Sequence, residues 1–167
     1  RFVEDETEAR LFLRSSNFHD WLLHLKNLFQ ANGAFSDAKY ILETDISDFY
    51  SRIYFHRVEH VLDDCEAPNQ VRKSIEKIIK ETRVNQTHGL PVGSAASRIL
   101  AEGILIDTDL MISNNTAGYS RYVDDFRILV DHQAQVHSLL CNLAEHLMLT
   151  EGLSLNASKT KTYTNED

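Results

Sequence analysis

The sequence predicts a mixed α+β fold, in which amphipathic helices pack against one small sheet. Short apolar runs at residues 40–46 and 119–130 are rich in residues that favour strands. The longer segments around them repeat apolar residues every three or four positions, as amphipathic helices do. The chain has 167 residues, of which 43% are hydrophobic, so it is long enough to bury one core. We therefore expect one compact domain.

The N-terminal region is predicted to contain two helices, over residues 5–13 and 16–31. Ser15 or Ser16 is a suitable N-cap for the second helix, and Gly33 follows Asn32 where that helix should end. The second helix has an apolar stripe at helical spacing, which predicts core packing for Phe18, Trp21, Leu22, Leu25, Leu28 and Phe29.

A buried strand is predicted at residues 40–46, because this run is short and apolar and ends on Asp45. Helical spacing then appears over residues 53–62 and again over residues 67–84. The second of these helices alternates a charged face with an apolar face. Its expected inward residues are Val71, Ile75, Ile78 and Ile79.

The second half begins with residues 87–94, which break the periodicity and lead into a predicted helix over residues 95–113. Two strand-like runs within 119–130 then meet at the adjacent carboxylates of Asp124 and Asp125. An amphipathic helix is expected over residues 133–150, with apolar residues that include Leu143, Leu147 and Met148. A short strand should close the domain near Tyr163.

From residue 40 the predicted order is therefore strand, helices, strand, strand, helix, strand. This is the order of a split βαβ, or ferredoxin-like, fold, in which the strand of Asp45 can lie beside the hairpin of Asp124 and Asp125. Residues 1–39 would pack as an N-terminal extension of a domain that spans residues 40–167. An Asp pair in a hairpin is commonly a simple turn feature. Two strand ends with carboxylates can, however, hold divalent cations about 4 Å apart for phosphoryl transfer.

Composition and charge limit the classes of function. No apolar run approaches the ~18 residues of a membrane span, and the first residues lack a secretory pattern. Cys65 and Cys141 have no zinc-ligand spacing, so reduced thiols and a cytoplasmic location are expected. The net charge of −8 argues against strong binding of nucleic acid by this segment alone. Since no initiator Met is present, we expect the sequence to be part of a longer protein.

Four motifs together resemble, in order and spacing, the palm motifs of reverse transcriptases. They are Asp45–Tyr50, Gly89–Ser94, Tyr122–Asp125 and Leu155–Thr160. The resemblance is greatest to bacterial reverse transcriptases, including those of phage-defence and abortive-infection systems, which carry a similar Leu-Pro-Val-Gly loop. It implies a polymerase palm with additional helices from the fingers, to which residues 1–39 would belong. No segment resembles a thumb.

The resemblance also implies a catalytic centre. Asp45 and Asp124 would be the metal ligands, together with the Ile46 carbonyl, and Asp125 would be a catalytic residue near the metals. Two Mg²⁺ ions are implied, with Mn²⁺ as a substitute, because such ions prefer hard oxygen ligands. Asp48 has two interpretations, as a third ligand or as the N-cap of the next helix.

Substrate contacts follow from the same resemblance. Tyr50 matches the ring that lies under the incoming sugar and would exclude a 2′-hydroxyl, although core packing is the alternative for this residue. Gly93 and Ser94, at the start of a helix, would let main-chain amides approach a phosphate or base pair. Lys159 would lie near the triphosphate and neutralise charge or protonate the pyrophosphate leaving group. Val92 replaces the Gln of many relatives and cannot make its hydrogen bond.

The implied activity is that of an RNA-directed DNA polymerase, whose partners are dNTP, an RNA template and a nucleic-acid or protein primer. Further protein partners or a homo-oligomer stay open, and no membrane partner is expected. Two alternatives remain, an RNA-dependent RNA polymerase and a non-catalytic polymerase-like scaffold that binds RNA or protein. Tyr50 favours deoxynucleotides. Clustered carboxylates argue against the scaffold, because they repel one another in the absence of metal.

Overall fold

The structure is a computed structural model that describes residues 17–29, 39–82 and 87–164. The strands are β1 (Tyr40–Asp45), β2 (Gly118–Tyr122), β3 (Asp125–Val130) and β4 (Lys161–Thr164). The helices are α1 (Phe18–Phe29), α2 (Phe49–Arg52), α3 (Phe55–Asp64), α4 (Asn69–Thr82), α5 (Ala95–Ile104), α6 (Ile106–Asn115) and α7 (Gln133–His146). A π-helical turn, Leu147–Glu151, extends α7. The predicted α+β class is confirmed.

The four strands form one antiparallel sheet in the order β2-β3-β1-β4. The central strand β1 pairs with β3 on one side and with β4 on the other. Its last residue, Asp45, lies directly opposite Asp125, the first residue of β3. The register therefore brings the end of β1 to the turn between β2 and β3.

One face of the sheet forms the core. Side chains alternate between the two faces of a strand, and Leu42, Phe126 and Ile128 are fully buried on the face that the helices cover. Glu43 and Asp45 alternate with Leu42 and so project from the opposite face of β1. The carboxylates at the end of the sheet are thus separated from the apolar core.

The π-helical turn after α7 is fixed by an ion pair to α3. The side chain of Glu151 is fully buried, and its carboxylate accepts hydrogen bonds from Arg57 Nε at 2.6 Å and Nη2 at 2.8 Å. Burial raises the pKa of Glu151, and the Arg57 guanidinium opposes that rise. Because both carboxylate oxygens are paired, the charge is compensated within the core.

Helix α1 differs from its prediction at its start and along its apolar stripe. Asn17 caps the described start of the helix, because its Oδ1 accepts a hydrogen bond from Asp20 N at 3.0 Å. Leu25 is buried, whereas Phe18 and Leu22 are about two-fifths exposed. The predicted helix over 5–13, the two serines and the Asn-Gly stop all lie outside the described residues. The side chains of Leu28 and Phe29, two further predicted core residues, also lie outside the described part. Of the described stripe, only Leu25 is buried as predicted.

Three other helices also depart from the predictions. In α4 only Ile79 is buried, while Val71 and Ile78 are exposed, because a single narrow stripe of this helix meets the core. Met148 is exposed on the π-helical turn, which changes the angular position of residues that a regular helix would turn inward. The helix predicted over 53–62 is observed as α3, which begins at Phe55 and continues to Asp64, and the separate short helix α2 precedes it.

The helix predicted over residues 95–113 is broken at Leu105. This residue ends α5 and precedes α6, with φ −91° and ψ 5°, and its side chain is completely buried. The N–H of Leu105 donates to the Glu102 carbonyl at 3.2 Å, which closes the last turn of α5. The bend directs α6 toward β2, where the hairpin of Asp124 and Asp125 begins.

Among the described helices, none is both long and apolar enough to cross a membrane.

Candidate active site

Three carboxylates meet at one end of the sheet. Asp45 ends β1 opposite Asp125, and Ile46 N donates to the Asp124 carbonyl at 3.2 Å. This main-chain bond joins the end of β1 to the turn of the hairpin. Asp45, Ile46, Asp124 and Asp125 are therefore neighbours, although Asp45 is distant from the others in sequence.

The turn that carries Asp124 has a strained backbone. Only Val123 and Asp124 separate β2 from β3, and Val123 has a φ of +59°. A two-residue hairpin turn commonly needs a positive φ, which Gly or Asn supplies at little cost. A β-branched residue in this conformation costs on the order of 1–3 kcal/mol and persists only where its surroundings fix it.

Arg121 supplies part of that support. Its Nη1 donates to the Val123 carbonyl at 2.7 Å. Its Nη2 lies 2.5 Å from Asp109 and 2.9 Å from Glu102, and its side chain is 8% exposed. Sequence reasoning missed Arg121, because its partners lie on two helices that the sequence presented as one. The guanidinium connects the strained turn to both α5 and α6.

The electrostatic environment favours protonation of the hairpin carboxylates. Burial raises the pKa of Asp124, and the neighbouring charges of Asp125 and Asp45 act in the same direction. Burial also raises the pKa of Asp125, while the nearby Arg127 guanidinium opposes that rise. Negative charge is thus concentrated here, and a cation would relieve the repulsion.

Lys159 is brought to the same place by the segment that follows the π-helical turn. Leu155 forms a bridge with Ile46, and Asn156 N donates to the Asp45 carbonyl at 2.8 Å. The Lys159 ammonium forms an ion pair with Asp45 Oδ2, and this contact raises the pKa of Lys159. The lysine side chain is 63% exposed, so it can reach solvent while it remains next to the carboxylates.

The donor set fits a hard divalent cation. Asp45 Oδ1 is buried and has no hydrogen-bond partner among the described residues. Such an oxygen beside a second carboxylate is the kind of ligand that Mg²⁺ prefers, with water and phosphate completing its coordination. Within the described ranges, no three His, Cys, Asp or Glu side chains are arranged to hold a metal by themselves. Asp45 and Asp124 are the side chains that would bind such an ion.

Phe49 and Tyr50 have different environments at the start of α2. Phe49 is 2% exposed and belongs to the core. Tyr50 is half-buried, and its ring lies 5.4 Å from that of Phe49. Burial raises the pKa of the Tyr50 phenol, Arg98 opposes the rise, and Asp124 contributes to it. The phenol is therefore within electrostatic reach of the hairpin carboxylates.

The loop before α5 connects to Tyr50 through its main chain, since Leu90 N donates to the Tyr50 carbonyl at 2.7 Å. Gly93 has a φ of +99°, and a Cβ placed there would meet nothing within 4 Å. The position thus needs glycine for its conformation, and it faces open space. Ser94 caps α5, because its Oγ accepts a hydrogen bond from Ser97 N at 3.0 Å. The neighbouring Val92 is 80% exposed.

Asp48 does not join the carboxylates of the hairpin. It occupies the N-cap position of α2 with a φ of +50°, but its side chain makes no capping bond. Its carboxylate instead lies 3.5 Å from Arg52 Nε, and both side chains are largely exposed. The structure thus gives Asp48 the N-cap position and a surface ion pair.

Comparison with known proteins gives one family. A model of the reverse transcriptase (RNA-dependent DNA polymerase) family matches residues 4–167, a range that includes every motif of the site. A search of curated proteins finds no match.

Proposed function

The chain belongs to the reverse transcriptase family, and on that basis we propose that it is an RNA-directed DNA polymerase that adds deoxynucleotides to a 3′-hydroxyl by two-metal-ion catalysis. The observation that carries the proposal is the buried Asp45 Oδ1, which lies beside the Asp124 turn and has no hydrogen-bond partner in the described part of the chain. A buried anionic oxygen without a donor is costly, and a bound cation would compensate it.

Asp45 and Asp124, with the Ile46 carbonyl, would hold two Mg²⁺ ions, which Mn²⁺ could replace. When bound, the ions would stabilise the attacking and leaving oxygens of the displacement. Asp125 adds negative charge next to them. Lys159 is close enough to exchange its contact with Asp45 for a triphosphate oxygen, where it would neutralise charge or protonate pyrophosphate.

Selection of the sugar is assigned to Tyr50. Its ring is half-buried, and its phenol interacts electrostatically with Asp124. A bulky ring at this position would collide with a 2′-hydroxyl and so favour dNTP over NTP. The open space around Gly93 would admit a base pair or phosphate to the main chain before α5. Ser94 would contribute its main chain, because its hydroxyl caps the helix.

The organisation proposed for the chain is a palm with part of the fingers over residues 40–167 and a fingers extension over residues 1–39. The strand order β2-β3-β1-β4 supports a split βαβ, ferredoxin-like core for that palm. An RNA template and a nucleic-acid or protein primer are the proposed partners. A cytoplasmic role in bacterial phage defence is the biological setting that the motif resemblance favours.

The test is incorporation of labelled nucleotides by the full-length protein on a primed RNA template. We expect dNTP incorporation that requires Mg²⁺ or Mn²⁺ and is lost in Asp124→Asn. Incorporation of NTP in preference to dNTP would show instead that the protein is an RNA-dependent RNA polymerase. RNA binding without any incorporation, equal in the wild type and in Asp124→Asn, would show instead that it is a non-catalytic scaffold.

A further inference from the structure

Helix α1 contacts the hairpin on the face opposite the core. Ser120, Tyr122, Asp125 and Arg127 share this face, because cross-strand partners project to the same side. The indole of Trp21 lies against this group of side chains. Its apolar spacing predicted core packing, but the residue is only partly buried and is absent from the core cluster.

The contacts of Trp21 reach both strands of the hairpin. On β2, its Nε1 donates to Ser120 Oγ at 2.7 Å, and its ring centroid lies 5.8 Å from that of Tyr122. On β3, the Arg127 guanidinium lies 5.3 Å from the centre of the indole. Phe18, one turn earlier, meets Tyr122 edge-on at 5.4 Å. One aromatic side chain thus bridges the two strands immediately before and after the turn.

These contacts bear on the site residues directly. Tyr122 is bonded in sequence to the strained Val123, which precedes Asp124. Arg127 Nη2 pairs with Glu43 at 3.0 Å, and its charge opposes the rise in the pKa of Asp125. Displacement of the indole would remove the contact that links the two strands on this face, although Tyr122 would keep Phe18 and Arg127 would keep Glu43. The direct link from the Arg121 guanidinium to the turn would remain on the core side.

We propose that Trp21 is a positioning residue for Asp124 and Asp125, because it fixes the turn that carries them from the face opposite Arg121. Binding of a cation to the carboxylates should therefore change the environment of the indole on α1. This inference rests on the proposed polymerase function for its kinetic consequence. Its structural consequence, coupling between the carboxylates and the indole, can be measured without catalysis.

The first experiment uses fluorescence. Trp21 is the only tryptophan among residues 1–167, and with any tryptophan elsewhere in the full-length protein replaced by Phe, emission at tryptophan wavelengths reports this contact alone. We expect Mg²⁺, added without nucleotide to the full-length protein, to produce a saturable change in emission. The change should be absent in Asp124→Asn and retained in Leu23→Ala, which alters an exposed residue of the same helix. A Mg²⁺ titration that leaves wild-type emission unchanged would overturn the inference.

The second experiment measures kinetics. Small displacements of reacting groups cost up to ~10²-fold in rate, so Trp21→Leu should lower kcat by about 10-fold or more with little change in KM for dNTP. Trp21→Phe keeps an aromatic ring and should recover part of the loss. Leu23→Ala should match the wild type. Wild-type kcat in both Trp21 variants would refute the positioning role. If Trp21→Leu is poorly folded, the milder Trp21→Phe decides alone, and a wild-type kcat in that variant would refute the role.

The two proposals fail in different ways. A wild-type protein that incorporates no nucleotide would refute the polymerase function. A Mg²⁺-dependent change in Trp21 emission that Asp124→Asn abolishes would still support coupling between the indole and the carboxylates. An active wild type with Trp21 variants of equal kcat would refute the positioning role and leave the polymerase function intact.

Discussion

Replacement of Asp124 by Asn should abolish nucleotide addition and at the same time stabilise the metal-free fold. The two effects have one origin. Asp124 is charged in a partly buried place beside Asp125 and Asp45, and both neighbours raise its pKa. A bound cation attracts all three carboxylates. The Asp124 carboxylate therefore stabilises the folded protein when metal is bound and destabilises it when metal is absent.

The size of each effect follows from the site. Loss of one key electrostatic group commonly costs ~10²-fold or more in rate. Interactions between partly exposed charges are worth about 0.2–1 kcal/mol, and Asp124 has two like-charged neighbours, partly offset by Lys159. We therefore expect the free energy of unfolding to rise by about 0.5–1 kcal/mol at neutral pH, a gain of about 1–4 °C in Tm for a domain of this size.

The assay is thermal unfolding with a chelator, measured for the wild type, Asp124→Asn and the control Asp131→Asn, which removes an exposed charge at the other end of β3. The folded-state pKa of Asp124 is raised, so wild-type stability should fall as the pH rises through that pKa. Below about pH 4, the ordinary pKa of Asp, the advantage of Asp124→Asn should vanish. An equal gain in Asp131→Asn, a lower Tm in Asp124→Asn, or retained polymerase activity would refute the reasoning.

Three further outcomes are expected. Tyr50→Val should increase NTP incorporation relative to dNTP. An unchanged ratio would show that Tyr50 does not exclude the 2′-hydroxyl. Phe49→Val should lower the free energy of unfolding by ~1–3 kcal/mol, because it trims a ring that is 2% exposed; urea titration measures this, with little change in the nucleotide ratio. Glu151→Gln should cost ~1–3 kcal/mol, since the Arg57 guanidinium loses its buried charged partner; no loss relative to the exposed control Glu145→Gln would contradict it.

Much of the sheet could be predicted because its signals are local. The strands ending at Asp45 and flanking Asp124 have short apolar runs, and the order of elements favours their adjacency. The motif resemblance implied that Lys159 lies near the triphosphate, but its ion pair with Asp45 was not predicted, because no local pattern specifies a contact between residues so far apart in sequence. The pairing register likewise comes from long-range packing.

Other features were beyond local reasoning for a physical reason. Ile104, Leu105 and Ile106 continue an apolar helical pattern, and Gly103 just before them is needed for close packing, because a Cβ there would lie 2.6 Å from the Val61 side chain. Apolar residues at helical spacing predict an inward face but not how much of it a neighbour covers, so Ile78 is exposed. Trp21 has the spacing of a core residue, yet it packs on the far side of the sheet, because tertiary contacts decide which surface an aromatic ring meets.

The bend at Leu105 makes the length of the α5–α6 segment more important than its composition. Arg121 Nη2 meets Glu102 from α5 and Asp109 from α6 through the same nitrogen atom. Insertion or deletion of one residue between these acids would rotate one of them by about 100° around its helix. Apolar substitutions there would be tolerated far better than any change in residue count, and natural variation in this segment should consist of replacements without insertions or deletions.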